Sequence, residues 1–169
     1  MSDDWSSTIA REMIRLSLNI CFAASSGGHY EQLILLKPLI EKYKSFILTE
    51  ATNYTITTIK DRRCYFLKQV NRKEVFFPMK MILNTFKSFT IFCKENPDII
   101  ITTGVLATIP ICIIAKVFRR KIIYIESFAK IDTPTMTGRL LYKFADQFYV
   151  QWEELLKYYP NAIYKGGIY

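Results

Sequence analysis

The sequence predicts an α/β fold, a Rossmann-like, doubly wound parallel sheet, and three observations lead there. Strand-like and helix-like runs alternate along the chain, the pattern of a parallel sheet covered by helices. The first strand candidate, residues 16–24 (LSLNICFAA), is a continuous apolar run, as a strand buried on both faces must be. That run ends in Ser25-Ser26-Gly27-Gly28, a turn leading directly into helical spacing. The chain has 169 residues, enough for one domain with its own core. The reading is a short polar extension over residues 1–14 and a single domain over residues 15–169.

Each element follows in order. Residues 29–42 carry Leu33, Leu36, Leu39 and Ile40 on one side of a helix. Residues 45–49 make a second strand, residues 52–60 a Thr-rich helix, and residues 64–70 a third strand. A long helix covers Phe77 to Glu95 and stops before Pro97, and a strand follows from Ile99 to Thr103. Gly104 breaks it, and a helix runs on to Phe118. Residues 121–126 (KIIYIE) are the next strand. Thr133-Pro134 opens a helix reaching Phe144, with proline in the first turn. Residues 147–151 form the last expected strand, followed by a short helix to Tyr158.

Composition narrows the function classes. Half of the residues are hydrophobic and 22% are charged, which is globular usage. The net charge of +8 suits an anionic partner: nucleic acid, anionic lipid or a phosphorylated substrate. No nucleic-acid recognition motif is present. The four cysteines, Cys21, Cys64, Cys93 and Cys112, lack C-x-x-C spacing and His29 is the single histidine, which argues against a zinc site or any other metal centre. Three of the four cysteines lie in apolar runs, the usage of a reducing compartment. The opening MSDDWSST is too polar and acidic for a signal peptide. Residues 99–118 would trigger a hydropathy window, but they include Thr102, Thr103, Gly104, Thr108, Pro110 and Lys116 and read as strand, turn and buried helix.

Ligands of open α/β sheets bind outside the carboxyl ends of the strands. That rule selects residues 24–30, 102–108 and 126–133. In the first, Ser25, Ser26, Gly27 and Gly28 form a turn whose bare backbone, at a helix start, suits an anion such as a diphosphate; a plain strand-to-helix turn has the same composition. The spacing G-x-G-x-x-G is absent, so Glu50, placed like the ribose-binding acid of a dehydrogenase, does not complete that fingerprint. His29 is either a general base or diphosphate donor, or a helix residue bonded to backbone. Thr103 and Gly104 offer a hydroxyl and a bare amide to sugar or phosphate, or cap the next helix. Glu126 and Ser127 close an apolar strand, where a carboxylate needs a partner such as Lys130 or Arg139, or a chemical task.

Residues 60–94 hold nine Lys or Arg and two acids. Their helix is more apolar than one buried stripe requires, with Phe77, Met79, Ile82, Phe86 and Phe89 among its residues. Lys73, Lys80, Lys87 and Lys94 recur at intervals of seven, near one flank. Basic residues beside an oversized apolar face fit the surface of an anionic membrane, with Lys73, Phe76, Phe77, Lys80, Phe86 and Lys87 as contacts. A fully buried helix, or one covered by a partner subunit, fits the same pattern.

The segments ASSGGH, PDIIITTGVLATIP and KIIYIESFAKIDTPTMTGRLLYKFADQFYV, in this order, resemble the N-terminal domain of the lipid-linked two-domain glycosyltransferases. Among these the peptidoglycan lipid-intermediate N-acetylglucosaminyltransferase is the familiar member. The likeness is closer to free-standing half-enzymes: the membrane-recruiting subunit of the dolichol-linked UDP-GlcNAc transferase and its bacterial relatives in exopolysaccharide and capsule synthesis. The resemblance implies one Rossmann-like half of a GT-B fold, which binds a lipid-diphosphate acceptor at the cytoplasmic face of a membrane. It also implies that the UDP-sugar donor is held mainly by a separate catalytic subunit, so that this chain binds no cofactor of its own. His29 matches the histidine beside the acceptor, Glu126 the acid in the cleft, and Gly27, Gly28, Thr103 and Gly104 the two glycine loops. Two departures stand out. The eukaryotic subunit carries an N-terminal transmembrane helix where this chain has a short acidic stretch, and the glycine loops are poorer in glycine than in the peptidoglycan enzyme.

The expected activity is therefore that of a non-autonomous, peripheral subunit, bacterial and cytoplasmic. It transfers a sugar to a lipid-linked acceptor, with His29 or Glu126 as base. The alternatives are a non-catalytic activator that recruits the partner, and a small nucleotide-binding Rossmann protein.

Overall fold

The computed structural model describes residues 18–52, 62–104 and 106–169. Seven strands form one sheet: β1 (Asn19–Ala23), β2 (Lys44–Glu50), β3 (Arg63–Leu67), β4 (Ile99–Thr102), β5 (Lys121–Ile125), β6 (Gln147–Val150) and β7 (Ile163–Tyr164). Their order is β3-β2-β1-β4-β5-β6-β7 and every pairing is parallel. The helices are α1 (Gly28–Ile34), α2 (Lys37–Lys42), α3 (Phe77–Glu95), α4 (Ile109–Val117) and α5 (Met136–Leu141), with 3₁₀ turns at Leu106–Thr108 and Glu153–Lys157. This is the doubly wound sheet the sequence predicts. The expected helix over residues 52–60, all but Thr52, and the extension over residues 1–14 lie outside the described residues.

Every residue of β1 is buried, and its side chains alternate between two cores. Ile20, Phe22 and Ala24 pack with Tyr30, Leu33 and Ile40 of α1 and α2; Cys21 and Ala23 pack with Ile91, Phe92, Ile111 and Cys112 of α3 and α4. Burial on both faces selects the continuous apolar run seen in the sequence. The strand order reverses at β1, with β2 on one side and β4 on the other. At their carboxyl ends the loops after β1 and β4 therefore meet over an open crevice.

Several boundaries differ from the sequence reading. The helix expected over residues 29–42 is two helices. Pro38 has no amide to donate and its ring would strike the carbonyl four residues back, so the chain restarts at Leu36, whose carbonyl accepts from Leu39 N at 2.8 Å and Ile40 N at 3.0 Å. The helix expected from Gly104 begins as the 3₁₀ turn and becomes α-helical at Ile109. The one expected from Thr133 starts at Met136, because Thr135 caps it, its hydroxyl accepting from Gly138 N at 2.8 Å. The two-residue β7 was too short to carry a pattern.

Helix α3 matches its expected span and is inside out. Its buried residues are Asn84, Ser88, Ile91, Phe92 and Glu95. Asn84 clasps the chain leaving β3, donating from Nδ2 to Lys68 O at 2.8 Å and accepting at Oδ1 from Lys68 N at 2.9 Å. Glu95 accepts from Tyr65 Oη and pairs with Arg63 at 2.6 Å. Phe76 just before the helix and Met79, Ile82, Phe86 and Phe89 within it are exposed. We expect Asn84→Leu, although more apolar, to destabilise the chain by about 1–3 kcal/mol, since it strands two backbone groups. Phe86→Ser on the outer face should stay within about 0.5 kcal/mol of wild type. Urea unfolding of the two variants measures both.

Candidate functional site

The crevice at the switch point is built from the ends of β1 and β4. Ala23 is in register with Thr102, and Thr103 N continues the ladder to Ala23 O at 3.3 Å. Beyond this point the chains diverge into the two loops picked out in the sequence. Gly27 has φ of +77°, a conformation L side chains rarely adopt. It starts α1, whose Tyr30 N bonds Gly27 O at 2.8 Å. A Cβ placed on Gly27 or Gly28 would meet nothing. Gly28 thus owes its identity neither to positive φ nor to packing within the chain. Ser25 is buried and bonds its neighbour Ser26 O at 3.1 Å, while Ser26 is half-buried and Gly27 and Gly28 are exposed.

His29 joins the loops. Its Nδ1 lies 2.8 Å from Thr103 O, and Thr103 Oγ1 donates to His29 O at 2.8 Å. A carbonyl can only accept, so Nδ1 carries the proton and the neutral ring presents Nε2 as a free base. Burial pushes the His29 pKa below its ordinary value, against the opposing pull of the Thr103 carbonyl and the charge of Glu126. The imidazole is therefore neutral at pH 7. Gly104, with φ of +99°, is needed for a second reason: a Cβ there would come within 2.9 Å of Tyr124 Oη. Thr103 and Gly104 are themselves buried, and the Thr103 side chain is committed to holding the loop.

Glu126, at the end of β5, is fully buried. Oε1 accepts from Tyr124 Oη at 3.1 Å, Ser127 N at 2.9 Å and Thr135 Oγ1 at 2.9 Å, and Oε2 accepts from Tyr159 Oη at 3.1 Å and Thr135 N at 3.3 Å. These donors take up the roughly four acceptor positions of a carboxylate. Neither Lys130 nor Arg139 is among them. Gly138 of α5 leaves room for the group, since a Cβ there would lie 2.1 Å from Glu126 Oε2. Ser127 is also buried. Gln151 Nε2 donates to Glu126 O at 2.8 Å, and Ile168 N donates to Gln151 Oε1 at 2.9 Å, tying the C-terminal segment to the same loop.

The structure thus brings Ser25 to His29 together with Thr103 and Gly104, and places Glu126 and Ser127 one strand over. Glu50 closes the other flank. Its carboxyl accepts from Val70 N at 3.3 Å and is bonded by Ser26, and burial raises its pKa. The acid that resembled a ribose ligand instead braces the glycine loop. Sequence reasoning missed Tyr124, Thr135, Gly138 and Tyr159. One signal was available: an isolated glycine within a helical pattern, Gly138, marks close packing. Among the described residues there is no cluster of three or more potential metal ligands. All four cysteines are free, and burial pushes the Cys112 thiol up to about 12.

The expected membrane contacts lie on α3 and in the segment leading into it. Lys73, Phe76, Phe86 and Lys87 are exposed, Phe77 is half-buried, and Lys80 pairs with Glu74. The apolar surface continues onto the next helix, where Val117 and Phe118 are exposed and Phe118 packs on Phe92 with ring centroids 5.1 Å apart. Among the described residues no helix is long and apolar enough to cross a membrane.

Residues 20–168 match the family model described as "Oligosaccharide biosynthesis protein Alg14 like". The chain belongs to this family. It is 27% identical over 182 residues to the human UDP-N-acetylglucosamine transferase subunit ALG14, an alignment that covers 91% of this chain and 84% of that protein. It is 34% identical over 149 residues to a Staphylococcus aureus (strain JH9) enzyme. That enzyme is a UDP-N-acetylglucosamine--N-acetylmuramyl-(pentapeptide) pyrophosphoryl-undecaprenol N-acetylglucosamine transferase, and 88% of this chain covers 40% of it. Among solved structures, Acinetobacter baumannii MurG superposes with a TM-score of 0.68 at 16% identity, over 81% of this chain and 42% of that one. The Rickettsia bellii UDP-N-acetylglucosamine 2-epimerase gives 0.69 at 13% identity, over 90% and 45%. These two likenesses show the fold, and the Alg14-like chain spans less than half of either structure. The Rossmann-like half expected of a GT-B architecture is what they share.

The depressed His29 pKa has a consequence for stability. A group whose folded pKa lies below its unfolded one stabilises the fold above the unfolded value, near 6.5, and loses that contribution as pH falls through the folded value. The unfolding free energy of wild type relative to His29→Gln should therefore decline as pH is lowered from about 6.5, and be flat above it. Urea titrations of both proteins across that range measure the difference.

Proposed function

We propose that this chain is the acceptor-side subunit of a two-part glycosyltransferase. With a partner that holds the UDP-sugar, it transfers a sugar to a lipid-diphosphate-linked acceptor. The observation that carries the reading is His29, pinned by Nδ1 to Thr103 O so that Nε2 is free where two glycine loops meet. An acceptor hydroxyl is too weak an acid to attack unaided. Nε2 takes its proton as the oxygen bonds to the anomeric carbon, and the bond from that carbon to UDP breaks. The neutral ring at pH 7 is the form this step needs.

Other features support the same reading. Residues 25–28 place an open, glycine-bearing backbone beside His29, suited to an acceptor diphosphate. Thr103, Gly104 and Ser127 shape the crevice that receives it. The named relatives are a UDP-N-acetylglucosamine transferase subunit and a lipid-linked N-acetylglucosamine transferase, which favours UDP-N-acetylglucosamine as the donor. The net charge of +8 and the apolar outer face of α3 suit a peripheral position on an anionic membrane, where such an acceptor resides.

The deciding measurement is transfer from radiolabelled UDP-N-acetylglucosamine to a lipid-diphosphate acceptor by this chain, by its partner and by the two mixed. Activity is expected from the mixture alone, with His29→Ala lowering kcat about 10²- to 10⁴-fold. Full activity from the partner alone would reduce this chain to an activator. Flotation with vesicles containing phosphatidylserine tests the surface. Phe86→Asp combined with Lys87→Glu should abolish binding, and added salt should weaken it.

A further inference from the structure

We propose that Glu126 is a positioning residue of this reaction: its carboxylate holds the loop after β5 and, through Tyr124, the Thr103–Gly104 loop that orients His29. The inference rests on the transferase reading for the chemistry and on geometry for the residue. A base must reach its substrate's proton, and this carboxylate is fully buried with its acceptor positions occupied. Among the described residues no positively charged side chain hydrogen-bonds it. A desolvated anion held only by hydroxyl and amide dipoles fixes each donor in place, because releasing any one leaves a buried charge short of a partner.

Each donor leads somewhere. Ser127 N and Thr135 hold the two ends of the loop over residues 127–135, and Thr135 also caps α5. Tyr159 ties the loop to the chain approaching β7. Tyr124 reaches the catalytic side. Its hydroxyl both donates to Oε1 and abuts the Gly104 backbone, where even a Cβ would not fit. Gly104 adjoins Thr103, whose carbonyl receives the His29 Nδ1 proton. The packed path therefore runs from Glu126 through Tyr124 and Gly104 to Thr103 and His29. Glu126 is also near enough to act on His29 through space, which favours the imidazolium formed when His29 takes the proton.

The test uses two variants of the full chain, Glu126→Gln and Tyr159→Phe. Tyr159→Phe removes one donor hydroxyl and keeps the carboxylate, so it serves if Glu126→Gln fails to fold. Two readouts apply. The first is ¹⁵N NMR of the imidazole, unambiguous because the chain has a single histidine. The second is kcat and KM with the partner across pH. The expected outcome for Glu126→Gln is a lower His29 pKa. For both variants it is a weakened Nδ1 proton signal and a fall in kcat of about ten- to a hundredfold with KM little changed and the acidic limb of the pH profile retained. Loss of that limb in Glu126→Gln, with Tyr159→Phe fully active, would make Glu126 the base and overturn the proposal. Folded variants with unchanged His29 resonances and unchanged kcat would overturn it too, leaving only a structural role. The NMR readout needs no transfer reaction. If the mixture never transfers sugar, the functional reading fails while the path from Glu126 to His29 is still measured.

Discussion

The reciprocal bonds between His29 and Thr103 tie together the two loops at the point where the strand order reverses. A parallel strand buried on both faces hands its chain to a helix on one side, and at β1 the neighbouring crossovers leave in opposite directions. The loops after β1 and β4 are fixed to each other at this point. One ring nitrogen and one hydroxyl do this, each bonded to the other residue's carbonyl at 2.8 Å. The same contact chooses the histidine tautomer, so joining the two loops and leaving Nε2 without the proton are a single event. A glutamine at residue 29 could bridge the loops but would supply no titrating nitrogen.

Legibility in the sequence followed how local the cause of each feature is. The buried run of β1, the α3 span and the glycine at 27 have local causes, namely burial on two faces, helical spacing and positive φ, and all were readable. The split of α1 from α2 was also written locally, in Pro38, but was outweighed by four apolar residues at helical spacing. The hydrogen-bond partners of Glu126 were not readable. Its position after KIIYI announced a buried carboxylate that needed partners, yet the candidates were cations nearby in sequence. The donors used are Tyr124, Thr135 and Tyr159, the last 33 residues away and brought in by the crossover to β7. Hydroxyls are poor beacons in a sequence because most of them serve caps and turns.

Helix α3 shows how a surplus of apolar residues can be legible in composition while the polar residues of its inward face stay hidden. The surplus of apolar residues predicts a second apolar face, and this holds. What the pattern hides is that the face turned inward carries Asn84, Ser88 and Glu95. Two of these inward polar groups have a fixed task, the Asn84 clasp and the Glu95–Arg63 pair. The apolar surplus is therefore displaced outward and joins Val117 and Phe118 in one surface. Such a surface is costly in water and reasonable only if covered. Lysines at its margin make an anionic bilayer a better cover than a neutral protein face.

Charge near the crevice follows the same economy. Under the proposed function, a histidine that takes and releases a proton needs its cation tolerable but not stable. A salt bridge to Glu126 would hold the imidazolium too well and keep the ring charged at pH 7. Burial alone would make protonation too hard. Here the two effects oppose each other: desolvation lowers the His29 pKa, while the Thr103 carbonyl and the buried carboxylate pull it back. Because hydroxyls and amides neutralise that carboxylate's hydrogen-bonding capacity without cancelling its charge, its field still reaches His29 across a low-dielectric interior. A cation bonded to Glu126 would remove that field, which gives a physical reason for Tyr124, Thr135 and Tyr159 to stand where a lysine or arginine would otherwise be expected.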